Sequence, residues 1–430
     1  VDYLFQEART PAGLTGQQVR RQLEAYLNRY KRLDRVLILP PDITRSNSYA
    51  GPIVRMLCEL LSQAKIDIMP ALGTHTPMSN QELDRMYPGV PHEWFCVHDW
   101  RNDVIRVGEV PGAFVEEVSG GWMDTPIPME VNRRLLDPGY DLILSVGQVV
   151  PHEVVGMSNY NKNVFVGCGG AGTIHQSHFL GALYGMERMM GRDLTPVHRV
   201  FDYAEEHFIQ GLPLAYILTV TAPNNDGISL RSLAVGRDRA MFSDSIRVSQ
   251  RYNINFLEQP LKKVVVYLDP EEFRTTWLGN KAVYRTRMAI ADEGNLLILA
   301  PGVTRFGEDL ENDAVIRKYG YCGRKTALRL ARTDRVLSEN LSVAAHLVHG
   351  SSDGRFTITY APGALTRAEI EGVGYQYADL AQMMQQYDIR RMKPGSNLID
   401  GEEVYYIANP ALGLWADRSK FLNQADIQVR

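Results

Sequence analysis

RVLILPPDITR, Arg35 to Arg45, decides the fold. Four consecutive aliphatic residues are stopped by two prolines, and a polar Asp-Ile-Thr-Arg follows at once. Aliphatic, β-rich runs of this length are buried strands, and proline ends the ladder because it has no N–H to donate. The strand therefore delivers Asp42, Thr44 and Arg45 to a loop at its carboxyl end. An amphipathic helix is expected over 49–63 and a second strand over 66–73, ending in Gly73-Thr74-His75. A third strand, 140–147, runs into Gly147-Gln148-Val149-Val150-Pro151-His152, and a fourth covers 214–221. Strands alternating with helices imply parallel pairing with crossover helices.

A second series opens with VVVY in 262–269. It continues with an expected helix over 276–291, a strand at 296–300, helices after Asp313 and Arg324, and strands at 356–360 and 404–408. The expected architecture is two α/β domains, 1–260 and 261–430, divided where Glu258-Gln259-Pro260 breaks the pattern. The first is a Rossmann-like parallel sheet. Ligands of open α/β sheets bind outside the carboxyl ends of the strands. Loops leaving three consecutive strands would converge there with Asp42, Arg45, His75 and His152.

Bulk properties exclude several classes of function. The chain has 430 residues, 45% hydrophobic and 22% charged, with a net charge of -4 and no basic block. Neither nucleic acid nor an anionic membrane is expected as a partner. No uncharged apolar run is long enough to span a bilayer. Four scattered cysteines form no C-x-x-C pair, so a thiolate zinc site is not expected, and free thiols point to the cytoplasm.

The stretch from Val150 to His178 concentrates further candidates. Gly167-Cys168-Gly169-Gly170-Ala171-Gly172 fits G-x-G-x-x-G, with Val164-Phe165-Val166 as a possible preceding strand and Thr173 as a helix cap. A dinucleotide site also needs a second strand ending in an acidic residue about 20 residues on. Here 183–193 reads as helix and turn, so a tight glycine turn is the better reading and a nicotinamide-dependent dehydrogenase the alternative. His175 and His178 stand on one helical face. With His152 they could form the metal site of a hydrolase or lyase. Lys162, between two asparagines, could bind an anion or act as an amine nucleophile. His75 and His152 suit acid/base work because imidazole titrates near neutrality. His92, His98, His198, His207, His346 and His349 read as structural.

Taken in order, Asp42-Ile-Thr44-Arg45, Gly73-Thr74-His75, Pro151-His152 with Ser158 and Lys162, and Thr173-Ile174-His175-Gln-Ser-His178 resemble the nickel-pincer 2-hydroxyacid racemases, the lactate racemase family. The resemblance implies a pyridinium mononucleotide whose sulfur-bearing arms hold nickel, made by separate cofactor-synthesis proteins. It implies His178 as the protein's nickel ligand, Lys162 against the thiocarbonyl arm, and His75 and His152 as the acid/base pair. Asp42, Thr44, Arg45 and Ser158 would help hold cofactor or substrate. Lys281 resembles the family's substrate-binding lysine, with Trp277 beside it, so the resemblance implies a first domain that binds the cofactor, a second that contributes substrate contacts, and an active site in the cleft between the domains. The implied reaction moves hydride from Cα of a 2-hydroxyacid to the cofactor and back. Two departures stand out. Asn159-Tyr160 replaces a glycine pair before Lys162, which is expected to fill space near the cofactor. Trp277-Leu278 replaces a tyrosine-glutamine pair, which suggests a substrate larger than lactate. A non-catalytic carrier of the nickel cofactor is the remaining alternative.

Overall fold

The structure is a computed structural model and describes residues 2–224 and 227–426, the side chains of the last four excepted. It divides into two compact units. One comprises residues 1–180 and 191–253, the other 181–190 and 254–430.

The first unit is built on a six-stranded sheet in the order Leu4–Glu7, Gly227–Gly236, Leu214–Asn224, Leu142–Gln148, Arg35–Leu39, Lys65–Ile68. The last four strands pair in parallel, and the first three are joined by antiparallel pairings. The expected parallel core is thus present, extended by two antiparallel strands. The helix Ala50–Leu60 buries Ala50, Ile53, Val54 and Leu57. That i, i+3, i+4, i+7 spacing is one helical face. It packs with Val19 and Leu23 of the helix Gly16–Leu27 against Val36, Ile38, Leu142, Leu144 and Ile217 of the sheet.

The second unit holds another six-stranded sheet, ordered Gln376–Tyr377, Thr357–Pro362, Ile290–Ala300, Leu261–Tyr267, Glu402–Ile407, Gly395–Ile399. All its pairings are parallel except the last. Residues 181–190 group with this unit because Met186 and Met190 pack against Ile254, Met288, Leu414, Ala416 and Phe421.

Two local expectations fail. The helix expected over 276–291 is two single turns, Thr276–Gly279 and Lys281–Tyr284, and residues from Ile290 onward form a strand. The strand that follows jogs near its start. Glu293 takes a positive φ of 63° and the pairing shifts between Leu261↔Ile290 and Lys263↔Asn295, as a β-bulge does. The second failure is Val164-Phe165-Val166. It lies in a π-helical turn, Asn163–Gly167, closed by the Cys168 N–H donating to the Asn163 carbonyl at 3.0 Å.

Candidate functional site

The loops after Lys65–Ile68, Arg35–Leu39 and Leu142–Gln148 leave adjacent parallel strands. Parallel bridging continues past the second of these strands at Pro41↔Ala71, so the Asp42 and His75 loops emerge side by side. Asp42 caps a 3-10 turn, Ile43–Ser48. Its Oδ1 accepts from the Thr44 backbone N–H and hydroxyl, and its Oδ2 lies 2.6 Å from His75 Nδ1. Burial pushes the Asp42 carboxyl up, but the bonds from His75 and Thr44 outweigh it and hold the group below its ordinary range. The His75 side chain is 57% exposed, so its ring projects from a buried carboxylate into the open.

His152 is the opposite case, with a side chain only 10% exposed. It sits in a two-residue hairpin, paired with Gly156 while Pro151 pairs with Met157. The hairpin is fastened on several sides. Ser158 Oγ donates to the Gln148 carbonyl at 2.6 Å and accepts the Val150 N–H at 3.1 Å. Thr195 Oγ donates to the Val155 carbonyl, and buried His198 bonds the Met157 carbonyl at 2.9 Å. The Ser158 hydroxyl thus closes the loop. Burial drives the His152 imidazole well below its ordinary range, with Glu153 opposing and positive charge at Lys162, Arg45 and His178 adding. All four side chains are thus near enough to act electrostatically on His152.

Lys162 is positioned by the asparagines that flank it. Asn161 donates to Asp202 Oδ1 at 2.6 Å, on the helix Pro196–Phe208. Asn163 donates to the Leu39 carbonyl at 3.1 Å and to Ser145 Oγ at 2.9 Å, on two neighbouring strands. The lysine between them is half-buried, and its amine is brought down to about 8 by burial and by Arg45, with Glu153 and Asp42 pulling back. An amine that deprotonates this near neutrality is a usable nucleophile. Just before it, Asn159 and Tyr160 both take left-handed backbone conformations, φ 72° and 54°. These are the positions where the family pattern has glycine, and the glycine-like geometry persists without the glycines. Tyr160 does not fill space at the site. Its ring is buried in the core, 4.4 Å from Tyr216 and 5.0 Å from Phe242, and its hydroxyl donates to the Arg237 carbonyl. The Asn159 side chain fills the space over Gly147, where a Cβ would come within 1.8 Å of its amide nitrogen.

The glycine run is a packing device. Added Cβ atoms would meet the Phe165 carbonyl at Gly169, Glu130 at Gly170, and Pro128 and Glu130 at Gly172. Glu130 Oε2 accepts the Gly172 N–H at 2.8 Å, so an internal carboxylate holds the start of the helix Ala171–Tyr184, where a dinucleotide's pyrophosphate would sit. Thr173 is inside this helix and ties it to the Pro128 carbonyl and the Glu130 N–H. A π-helical turn precedes the run instead of a strand, and Glu130 takes up an N–H at the helix start, both of which count against the dinucleotide reading.

His178 and His175 leave the same helix differently. His178 belongs to the His152 neighbourhood. His175 stands edge-on to Trp100 at 6.3 Å, with Glu130 and Arg101 as its charged neighbours. Among the described residues no three or more His, Cys, Asp or Glu form a group able to hold a metal, so the three-histidine hydrolase site is not assembled. A metal at His178 would need donors from outside the protein.

In the second unit, Trp277 stacks on His346 with ring centroids 4.0 Å apart, and Lys281 opens the turn Lys281–Tyr284 with its amine 5.7 Å from the Phe273 ring. Around them lies a network that sequence reasoning missed. The Thr276 and Tyr321 hydroxyls are 2.7 Å apart, and Tyr321 is 3.2 Å from His346 Nε2. Tyr360 donates to Asn280 Oδ1 at 3.0 Å, and the Tyr375 hydroxyl donates to the Gly350 carbonyl at 2.8 Å. The adjacency of Asn280 and Lys281 was its only trace in the sequence.

Comparison with known proteins gives a consistent answer. The family model of the lactate racemase N-terminal domain matches residues 19–191. A crystal structure of a protein from Thermotoga maritima is similar at TM-score 0.80 and 21% identity, covering 96% of this chain and 100% of that one. The lactate racemase apoprotein from Thermoanaerobacterium thermosaccharolyticum is similar at TM-score 0.68 and 15% identity, covering 95% and 90%. At such identities the structural likeness speaks for the fold. No curated protein matches in sequence. The resemblance read from the motifs is borne out for the first unit, as is the α/β fold. No helix among the described residues is long and apolar enough to cross a membrane.

Proposed function

We propose, from the lactate racemase N-terminal domain that residues 19–191 carry, that this chain is a racemase or epimerase of a 2-hydroxyacid. The observation that carries the proposal is the grouping at the strand ends. The exposed His75 is joined to buried Asp42, which acts electrostatically on Lys162, and the charges of Lys162, Arg45 and His178 act on His152.

These residues suit the cofactor the family implies, a nickel-pincer nucleotide. Arg45 and Lys162 bring positive charge to the strand-end loops for phosphate or carboxylate. The Lys162 amine is nucleophilic near neutrality, which suits a thiocarbonyl neighbour. His178 offers one imidazole where the protein supplies no complete ligand set. Bound there, the cofactor would supply a reversible acceptor for the hydride at Cα. That chemistry avoids a carbanion beside a carboxylate. The chain's own residues do the rest. Histidine takes and returns the hydroxyl proton, and Arg45 pins the substrate carboxylate through a charge-assisted bond. Ser158 and the two asparagines keep the His152 and Lys162 loops from shifting. Substrate roles for Lys281 and Trp277 rest on the resemblance, and a substrate larger than lactate on the departure from it at Trp277-Leu278. Separate proteins would make the cofactor. The described free cysteines support a cytoplasmic location.

The test is purification from a host that makes the pincer cofactor, followed by metal content, visible absorbance and intact mass. A panel of enantiopure 2-hydroxyacids deuterated at Cα then reads the chemistry. Nickel-loaded protein should invert at least one substrate with deuterium kept at Cα. Wash-out of the label to solvent, or no inversion of any acid by loaded protein, refutes the proposal.

A further inference from the structure

His75 and His152 are held at the same ring atom by partners of opposite character. At His75 the partner of Nδ1 is Asp42 Oδ2 at 2.6 Å. A carboxylate held in its ionised form can only accept, so the proton lies on His75 Nδ1, and the neutral ring keeps a lone pair on Nε2. At His152 the partner of Nδ1 is the Val154 backbone N–H at 3.2 Å. An amide N–H can only donate, so Nδ1 must present the lone pair and the neutral ring carries its hydrogen on Nε2. An imidazolium could not accept that bond. Glu153, 4.0 Å from Nδ1, is too far to hold a proton there.

We propose that the two histidines are not interchangeable. His75 is the proton acceptor, poised through Nε2 and set in that tautomer by Asp42 as a positioning residue. His152 is a neutral hydrogen-bond donor through Nε2–H. This rests on the reading of the chain as a 2-hydroxyacid racemase. The substrate O–H bond breaks, its proton joins His75 Nε2, and its electron pair stays on oxygen. Asp42 stabilises the resulting imidazolium through the Nδ1–H it already holds. His152 keeps its proton throughout and hydrogen-bonds the same oxygen, as a preorganised donor does.

The test has a spectroscopic arm and a kinetic arm. Long-range ¹H–¹⁵N correlation on the full chain labelled with ¹⁵N-histidine distinguishes protonated from bare ring nitrogens. His75→Gln and His152→Gln assign the signals. The expected result is Nδ1–H at His75 and Nε2–H at His152. The same tautomer at both, or a bare Nε2 at His152, overturns the inference whether or not the protein has activity. Asp42→Asn should move His75 to the Nε2–H form. Asp42 Oδ1 already accepts twice from Thr44, so the new amide NH₂ would face His75 Nδ1. A purely structural Asp42 would leave the tautomer unchanged, and that result also overturns the inference. In the cofactor-loaded enzyme, His152→Gln keeps a donor near the Nε2 position and should lose about tenfold in turnover, the scale of one hydrogen bond. His75→Gln should lose about 10³-fold or more. Equal losses overturn the inference. If loaded wild-type protein turns over no hydroxyacid, the functional reading fails, and the spectra still decide the tautomers.

Discussion

The two sheets are close relatives in topology and opposites in what they carry. Each has six strands, mostly parallel, with antiparallel additions at one side. The strand ends of the first unit carry Asp42, Arg45, His75 and His152, joined there by Lys162. The groups around Trp277 and Lys281 in the second unit are mostly hydroxyls and amides that bond one another, Thr276 with Tyr321 and Tyr360 with Asn280, with the His346 ring beside Tyr321. A buried hydrogen-bonded network of this kind holds its members in place. Ionisable groups with perturbed pKa on loops cost stability and are kept for chemistry. The same architecture thus gathers ionisable side chains at the strand ends of one unit and a mostly neutral hydrogen-bonded cluster in the other, and fold alone does not locate function.

The contrast can be broken at several points. The largest effect should come from His178→Ala, with nickel per chain falling to background by elemental analysis while the far-ultraviolet circular dichroism stays unchanged. Full nickel retention would remove His178 from the metal site. Lys162→Met should come next. The native amine is brought down to about 8 while the unfolded chain keeps its proton to about 10.5. The stability penalty of that buried charge is therefore complete below pH about 8 and fades as pH climbs towards 10.5. Denaturant titrations should show the variant more stable at pH 7, by on the order of 3 kcal/mol, with the gap closing across that window. A gap that is constant with pH contradicts the depressed amine. Asn163→Ala removes the donor to the Leu39 carbonyl and Ser145 and should destabilise by about 2 kcal/mol, while slowing reaction of Lys162 with an amine reagent because the lysine loses its anchor. The smallest effect belongs to the second unit. Tyr375→Phe deletes a bond to the Gly350 carbonyl and should cost about 1 kcal/mol of stability with turnover changed less than about threefold. A loss of turnover as large as that of His75→Gln would erase the distinction between the units.

Much of the first unit was legible because its parallel strands are continuous aliphatic runs, and each functional loop begins where such a run is cut by proline or glycine. Arg35–Leu39 and Asp42 are an example. The strands Leu4–Glu7 and Gly227–Gly236 were not read; the first pairs with the second across more than two hundred residues, and the second also folds back on Leu214–Asn224. The glycine run misled in part because glycine is needed equally for a bound phosphate and for a close-packed Glu130. Only the position of that carboxylate separates the two. Within the site, the residue types at positions 75 and 152 were readable. The difference between them was not, since it depends on Asp42, thirty-three positions from His75, and on the direction of one backbone amide beside His152.

The π-helical turn Asn163–Gly167 has a consequence for how this chain can change. Its closing bond reaches back five residues, so it holds one residue more than an α-turn of the same span. Deleting any single residue there would let the turn tighten to ordinary helix, at about 100° of rotation per residue. The lysine upstream and the imidazole downstream would then be swung out of phase although every side chain concerned had been kept. Drift in this segment is therefore confined to substitutions, and a length change of one should be more damaging than several point replacements together.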